Sequence, residues 1–222
     1  MLGSDRAINR AEGGAQASMS VRDGVLSSRR LGFLYVFHTY NPKRSSSVVE
    51  KVVSFLTGSE IIHVEMLPVV EAEAGPGGEV TRVAVSTSYT AYLFCRFNTF
   101  EPSICAEESS IALYVPMTEA QTEAGEAFLQ GLVGARYNYW NLPCTILPTA
   151  VKECLPHQEQ QHRQRVFCSQ AGLQLCYACG VLDQEHIPPF CCSPKELHAL
   201  LLEHGKATPW AKDRILILPS VS

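Results

Sequence analysis

The sequence predicts an α+β fold in which a mainly antiparallel sheet packs against helices. Apolar or alternating runs of strand length recur along the chain, and helix-forming runs with capping residues lie between some of them. The two kinds of run do not alternate regularly, as a doubly wound parallel sheet would require. A chain of 222 residues with 46% hydrophobic residues is also long and apolar enough for one core.

Composition excludes some classes of function. The formal net charge of −4 gives no electrostatic reason to expect binding to nucleic acid or to an anionic membrane. No apolar run approaches the roughly 20 residues of a membrane-spanning helix. No apolar stretch near the N-terminus resembles a secretory signal, which favours a cytoplasmic location. In such a reducing compartment we expect most of the nine cysteines to be free and buried.

The first elements follow a tail. Residues 1–30 are rich in Gly, Ala, Ser and Arg without periodicity, which predicts a disordered tail before one domain at residues 31–222. Residues 31–38 form an apolar, aromatic run typical of a buried strand. After a turn at Asn41-Pro42, Ser45 to Ser47 can cap a helix that ends at Thr57-Gly58-Ser59. Its predicted apolar face consists of Val48, Val49, Val52, Val53 and Leu56.

The middle of the chain predicts a hairpin and a further strand and helix. Residues 61–70 are of strand type, and Gly75-Pro76-Gly77-Gly78 predicts a connection to a partner strand at residues 80–92. Residues 111–115 predict another strand. Thr118 followed by Gln121 is a capping-box pattern that opens a helix to about Val133.

The last third predicts two more helices and a final strand. Residues 134–148 are aromatic and turn-rich, and residues 156–165 are polar and typical of a surface loop. An apolar-periodic run to Gly180 predicts a helix that starts at Cys168. Ser193 and Pro194 are typical of the cap and first position of a helix through Leu202. Residues 214–219 predict the final strand.

Cys168 is the strongest candidate for chemistry, because a helix start is a place where the pKa of a cysteine is lowered. About a hundred residues earlier, His63 lies on a predicted strand, and the two residue types together make a thiol hydrolase possible. Glu65 shares the strand face of His63 and can orient its imidazole or stabilise its charge. The competing interpretation is that Cys168 is a small buried hydrophobe and that His63 and Glu65 are ordinary strand residues.

A second set of cysteines raises the alternative of a zinc site. Cys176 and Cys179 form a CxxC pair, and His186, Cys191 and Cys192 follow closely. However, Cys168, Cys176 and Cys179 fall on roughly one face of a single helix, whereas metal-binding CxxC pairs usually lie on tight turns. We therefore predict no metal and no cofactor, and keep a zinc-stabilised interaction module as an alternative.

The motifs together resemble the circularly permuted branch of the NlpC/P60 papain-like superfamily. That branch includes YaeF/YiiX-like bacterial proteins, relatives in poxviruses and other large DNA viruses, and lecithin:retinol acyltransferase. The resemblance covers about residues 31–218, and the order of His before Cys marks the permutation. It is carried by Thr57-Gly58-Ser59, His63-Val64-Glu65, Tyr137-Asn138-Tyr139, Phe167-Cys168-Ser169-Gln170 and Ser193-Pro194-Lys195-Glu196-Leu197.

The resemblance implies a permuted papain-like fold, with Cys168 as nucleophile and His63 as general base. For the third polar residue it leaves two candidates, Glu65 and a position on the next strand near Ser86. The expected reaction is hydrolysis or transfer of an acyl group from an amide or ester, by a peptidase, an amidase, a lipid hydrolase or an acyltransferase. Its oxyanion would be stabilised by the backbone N–H of Cys168 and a second donor such as Tyr137. The alternative is a binding or structural protein on the same fold with an idle Cys/His pair.

Overall fold

The computed structural model describes residues 31–41, 48–85, 87–91, 95–99, 110–154, 165–183 and 187–217. Within these ranges the prediction of an α+β fold with a mostly antiparallel sheet and packed helices is confirmed. The predictions for the tail at residues 1–30, the cap at Ser45 to Ser47, most of the polar loop, Ser86 and His186 lie outside the described residues.

Eight of the described strands form one sheet, and two short ones form a separate parallel pair. The strands of the main sheet are β1 (Leu31–Thr39), β2 (Ile61–Ala74), β3 (Val80–Val85), β4 (Thr87–Ala91), β5 (Cys95–Thr99), β6 (Ser110–Met117), β9 (Thr208–Trp210) and β10 (Ile215–Ile217), and the separate pair is β7 (Arg136–Tyr137) with β8 (Arg165–Val166). In the main sheet the order is β10-β3-β2-β1-β6-β9, with β4 paired to β2 and β5 paired to β4. Among the described strands of this sheet, only the β10–β3 pairing is parallel.

The described helices are α1 (Val48–Thr57), α2 (Glu119–Gly131), α3 (Thr149–Glu153), α4 (Cys168–Ala178) and α5 (Pro194–Glu203). Short 3₁₀ helices lie at Tyr139–Ile146, Pro189–Cys191 and Lys212–Arg214. Thr118 and Gln121 form the predicted capping box of α2. Ser193 caps α5, with Glu196 closing a second capping box. None of the helices in these ranges has the length and apolar character needed to cross a membrane.

The central strand β1 is apolar on both faces, and each face lies in a different core. The helix-side core joins the sheet to α2, α4 and α5, and its sheet members include Phe33, Tyr35, Phe37, Val64 and Met66. The far-side core lies on the opposite face, and its members include Leu34, Val36, Leu67, Val69 and Trp210. Side chains alternate along a strand, so neighbouring residues of β1 and β2 belong to different cores.

Helix α4 is held close to the sheet by Tyr35 and Gly172. The hydroxyl of Tyr35 donates to the carbonyl of Gly172 at 3.2 Å, and it lies 3.2 Å from Sγ of Cys176. A Cβ at position 172 would lie 2.7 Å from Cδ2 of Leu197 and 3.6 Å from Sδ of Met66. The absence of a side chain at Gly172 therefore allows α4 to pack between β2 and α5.

A buried ion pair joins α3 to the start of α5. Nζ of Lys152 lies 2.6 Å from each carboxylate oxygen of Glu196 and 2.7 Å from the carbonyl oxygen of Thr145. Glu196 also accepts from the backbone N–H of Ser193 at 2.8 Å. Lys152 is buried, and these contacts compensate the charge of its ammonium group.

Some sequence predictions differ from the structure in detail. The strand predicted at residues 80–92 is two strands, β3 and β4, which both pair with β2. Strand β2 continues to Ala74, beyond the predicted end at residue 70, because β3 pairs with this extension. Val52, predicted to be on the apolar face of α1, is 46% exposed. Strands β5 and β9 were not predicted, since runs of five and three residues carry little periodic signal.

We expect Gly125→Ala to destabilise the fold, because α2 packs against β1 and α4 at this residue. The new Cβ would lie 2.7 Å from Cε2 of Phe33, 2.8 Å from Sγ of Cys179 and 2.9 Å from Cδ1 of Leu175. Overpacking of this kind costs roughly 1–3 kcal/mol, measurable by urea denaturation.

Gly131→Ala is the matched control in the same helix. A Cβ there meets no atom within 4 Å, so the substitution should be neutral or stabilise by up to about 1 kcal/mol. Equal effects of the two substitutions would contradict the packing argument.

Candidate functional site

The helix that the sequence predicts at Cys168 begins at that residue. The preceding Phe167 has extended backbone angles, φ −114° and ψ 169°, and no side chain caps the helix. Uncapped N–H groups of the first turn therefore lie close to the cysteine. Cys168 itself is only 1% exposed and belongs to the helix-side core.

Burial raises the pKa of Cys168 to about 11. Hydrogen bonds from the backbone at Val64, Ser169 and Cys168 itself, and from the hydroxyl of Tyr137, favour the thiolate and act in the opposite direction, but burial has the larger effect. The sequence argument expected a lowered pKa at the helix start. The structure differs because the thiol is removed from water on all sides.

His63 and Val64 are consecutive on β2 and point to opposite faces. Val64 lies in the helix-side core together with Cys168. His63 pairs in register with His38 of β1, whose neighbour Phe37 also belongs to the helix-side core. Strand alternation therefore directs both histidines to the far side of the sheet, while α4 approaches from the other side. Cys168 therefore packs beside Val64 on the helix side of β2, whereas the side chain of the adjacent His63 lies on the far side.

His63 lies in a buried polar group on that far face. Its Nε2 is 3.2 Å from Oγ1 of Thr90 on β4, and its ring centroid is 5.6 Å from that of His38. Burial lowers the pKa of His63 well below its usual value, and the nearby His38 lowers it further. The neutral imidazole is therefore the resting form near neutral pH.

Glu65 is on the same face as His63, as the sequence predicts, but its described ion pair is with His38. Oε1 of Glu65 lies 4.0 Å from Nε2 of His38. Burial raises the pKa of Glu65, and hydrogen bonds from Ser88 and Thr90 act in the opposite direction. The structure thus brings Glu65, His38 and His63 together, with Thr90 as the described partner of His63. Ser86, the other candidate for a third residue, lies outside the described residues.

Three parts of this site were not assigned by sequence reasoning. His38 had no fixed neighbour in the sequence, and Thr90 is an unremarkable strand residue. The backbone N–H of Val64 carries no sequence signal at all. All three depend on pairing between strands, His38 with His63 and Met66 with Tyr89. A hydrogen bond from the side chain of Tyr137, which the sequence analysis named as a second donor to the oxyanion, lowers the pKa of Cys168.

Two further buried cysteines form hydrogen bonds within the core. Sγ of Cys191 donates to the carbonyl of Pro188 at 3.2 Å, and Sγ of Cys192 to that of Ser193 at 3.5 Å. All eight cysteines in the described ranges are free of disulfides, and six of them are buried. Among the described residues, no group of three or more His, Cys, Asp or Glu side chains is arranged to hold a metal ion.

No family model, curated protein or solved structure matches this chain. A functional assignment therefore depends on the residues and their geometry.

The lowered pKa of His63 predicts a loss of stability in acid. In the unfolded chain His63 binds a proton as the pH falls below about 6.5, while the folded state keeps it neutral. The unfolded state then binds more protons, and folding weakens by up to about 1.4 kcal/mol for each pH unit below that value. Urea denaturation of wild type and His63→Gln at pH 7.5, 6.5 and 5.5 measures this contribution. The difference in unfolding free energy between wild type and His63→Gln should change as the pH falls. The same difference at all three pH values would contradict the prediction.

Proposed function

We propose that the protein is a cysteine hydrolase or acyltransferase, in which Cys168 attacks the carbonyl carbon of an amide or ester. The observation that carries this proposal is that Cys168 begins helix α4, which no side chain caps, while hydrogen bonds from Val64, Ser169, Cys168 itself and Tyr137 favour its thiolate. Val64 and Tyr137 belong to other elements of the fold, so the tertiary structure adds to the effect of the helix start.

We further propose that the fold is a permuted papain-like fold of the NlpC/P60 type. Two features support it besides the motifs. Helix α4, with Cys168 as its first residue, packs on a mostly antiparallel sheet. Strand β2 of this sheet, much earlier in the chain, carries His63. Val64, next to His63, donates its N–H to the Cys168 sulfur, so the two candidate catalytic residues meet the same short stretch of β2.

In the first half of the reaction, His63 takes the thiol proton as Sγ of Cys168 forms a bond to the acyl carbon. The carbonyl electron pair moves to oxygen, and the N–H of Cys168 and the hydroxyl of Tyr137 stabilise this oxyanion. The intermediate then collapses to a thioester. The leaving alcohol or amine takes the proton from His63.

In the second half, water or an acceptor alcohol or amine attacks the thioester. His63 removes the proton of the attacking group, and the thiolate leaves and is protonated again. Since burial favours the neutral forms of both Cys168 and His63, the proton must move during the attack rather than beforehand. Because His63 lies on the face of the sheet opposite α4, the reaction also requires a movement that brings the imidazole to the sulfur. The substrate must also displace the side chains that bury Cys168.

One observation favours the alternative of an idle pair on a binding or structural protein. Cys168 is 1% exposed and its pKa is raised to about 11, which are properties of a structural cysteine. The two functions differ in whether an acyl group is ever transferred to Cys168.

Acyl transfer is measurable by mass spectrometry of the intact protein. After incubation with p-nitrophenyl esters of short and long acyl chains, we expect one acyl adduct that peptide mapping assigns to Cys168. The adduct should be absent from Cys168→Ala and greatly reduced in His63→Gln. Cys154→Ala is the matched control, since it removes an exposed thiol and should leave the adduct unchanged. Labelling of Cys154 alone would support the alternative, in which Cys168 and His63 catalyse no reaction.

Replacing Tyr137 by Phe tests the donors around the sulfur. If its hydroxyl stabilises the oxyanion, acylation of Cys168 should slow by roughly 10²–10³-fold. Tyr139→Phe is the control, because its ring packs on Tyr137 at 4.7 Å between centroids but it is half exposed. The rates of stopped-flow p-nitrophenol release should separate the two variants, and equal rates would exclude a role for the Tyr137 hydroxyl.

A further inference from the structure

Large apolar side chains are exposed together on the segment that follows strand β7. Residues 139–151, which include the 3₁₀ helix after β7 and the start of α3, contain no charged side chain. Trp140 in this segment is 80% exposed. Helix α1 contacts the 3₁₀ helix, and its Phe55 is 86% exposed. The exposed apolar side chains of these elements form what we call the apolar surface: Phe55, Tyr139, Trp140, Ile146 and Val151.

The residue types of the apolar surface are those of a protein that lies at a bilayer interface. Tyr139 and Trp140 each combine an apolar ring with one polar group, and such side chains are enriched at the boundary between lipid chains and headgroups. Single exposed apolar residues are common on any protein. Several large ones on contacting elements instead mark a site of interaction.

Two arginines lie directly before the apolar surface, on the short strand pair. Arg136 of β7 pairs in parallel register with Arg165 of β8, and both are exposed. Their neighbours Tyr137 and Val166 pack in or against the helix-side core, so strand alternation directs both guanidinium groups outward. Among the described residues neither has a carboxylate partner. Two like charges side by side destabilise a strand pair, and a phosphate that accepts from both would compensate this cost.

We infer that the apolar surface docks on a phospholipid bilayer, with Phe55 and Trp140 at the level where the headgroups meet the lipid chains and with Arg136 and Arg165 on lipid phosphates. Arginine binds phosphate through two parallel hydrogen bonds, and zwitterionic lipids carry a phosphate as anionic ones do. The formal net charge of −4 favours a zwitterionic bilayer over a strongly anionic one. This docking does not depend on any reaction of Cys168.

The chain has two tryptophans, which makes insertion of Trp140 directly measurable by fluorescence. Trp210→Phe removes the buried one and leaves Trp140 as the only tryptophan. On addition of phosphatidylcholine vesicles we expect the emission of Trp140 to move to shorter wavelength, and lipids brominated in their acyl chains should quench it. Wild type serves if Trp210→Phe does not fold, because Trp210 lies in the far-side core. Emission that vesicles leave unchanged would overturn the inference.

Flotation with the same vesicles measures how strongly each variant binds the bilayer. Trp140→Ala and Phe55→Ala should each weaken binding by at least about tenfold, because an aromatic side chain buries roughly 150–250 Å² of surface. Arg136→Gln and Arg165→Gln should each weaken it by roughly two- to fivefold, the range for exposed charge pairs. Val70→Ala is the matched control and should leave binding unchanged, since Val70 is 43% exposed on β2, outside the apolar surface.

A second copy of the chain is the other occupant that could cover the apolar surface, and sedimentation equilibrium without lipid distinguishes it from a bilayer. We expect wild type to float with vesicles and to be monomeric without them. A dimer that Trp140→Ala dissociates, with no flotation of wild type, would assign the surface to self-association and overturn the inference. Equal flotation of wild type and Trp140→Ala would also overturn it, because the bilayer contact would then lie elsewhere on the molecule.

Discussion

The structure depends on the contact between the first turn of α4 and strand β2. The N–H of Val64 donates to the sulfur of Cys168, and Tyr35 binds the next turns of α4 through Gly172 and Cys176. These contacts determine the position of the helix along the strand. They also depend on strand register, because a slip of β2 by one residue against β1 would direct its alternating side chains to the wrong cores.

Burial determines the electrostatics of the candidate site on both faces of the sheet. Burial against α4 raises the pKa of Cys168, and burial on the far face lowers that of His63, so that both groups are neutral at rest. The donors around the sulfur oppose this effect without overcoming it. A thiolate–imidazolium pair formed in advance would need a more polar environment, and a buried neutral pair is instead suited to proton transfer during the attack.

Adjacent residues of β2 lie in two different environments, because their side chains are on opposite faces of the sheet. Val64 belongs to an apolar core with Cys168, whereas His63 and Glu65 lie among His38, Ser88 and Thr90 on the opposite face. A polar group of this kind is costly to bury unless its members bind one another. The hydroxyl of Thr90 is the described partner of His63, and His38 faces the carboxylate of Glu65 at 4.0 Å.

The sequence by itself determined the α+β class, the start of α4 at Cys168, the capping box at Thr118 and the helix cap at Ser193. These features depend on neighbours within about four residues, for which local patterns carry the information. Only the tertiary structure decided which groups surround Cys168 and His63. The partners of His63 come from β1 and β4, and the raised pKa of Cys168 comes from burial by several elements. Such contacts depend on strand register and helix docking, because residues far apart in the chain become neighbours only after the fold is complete.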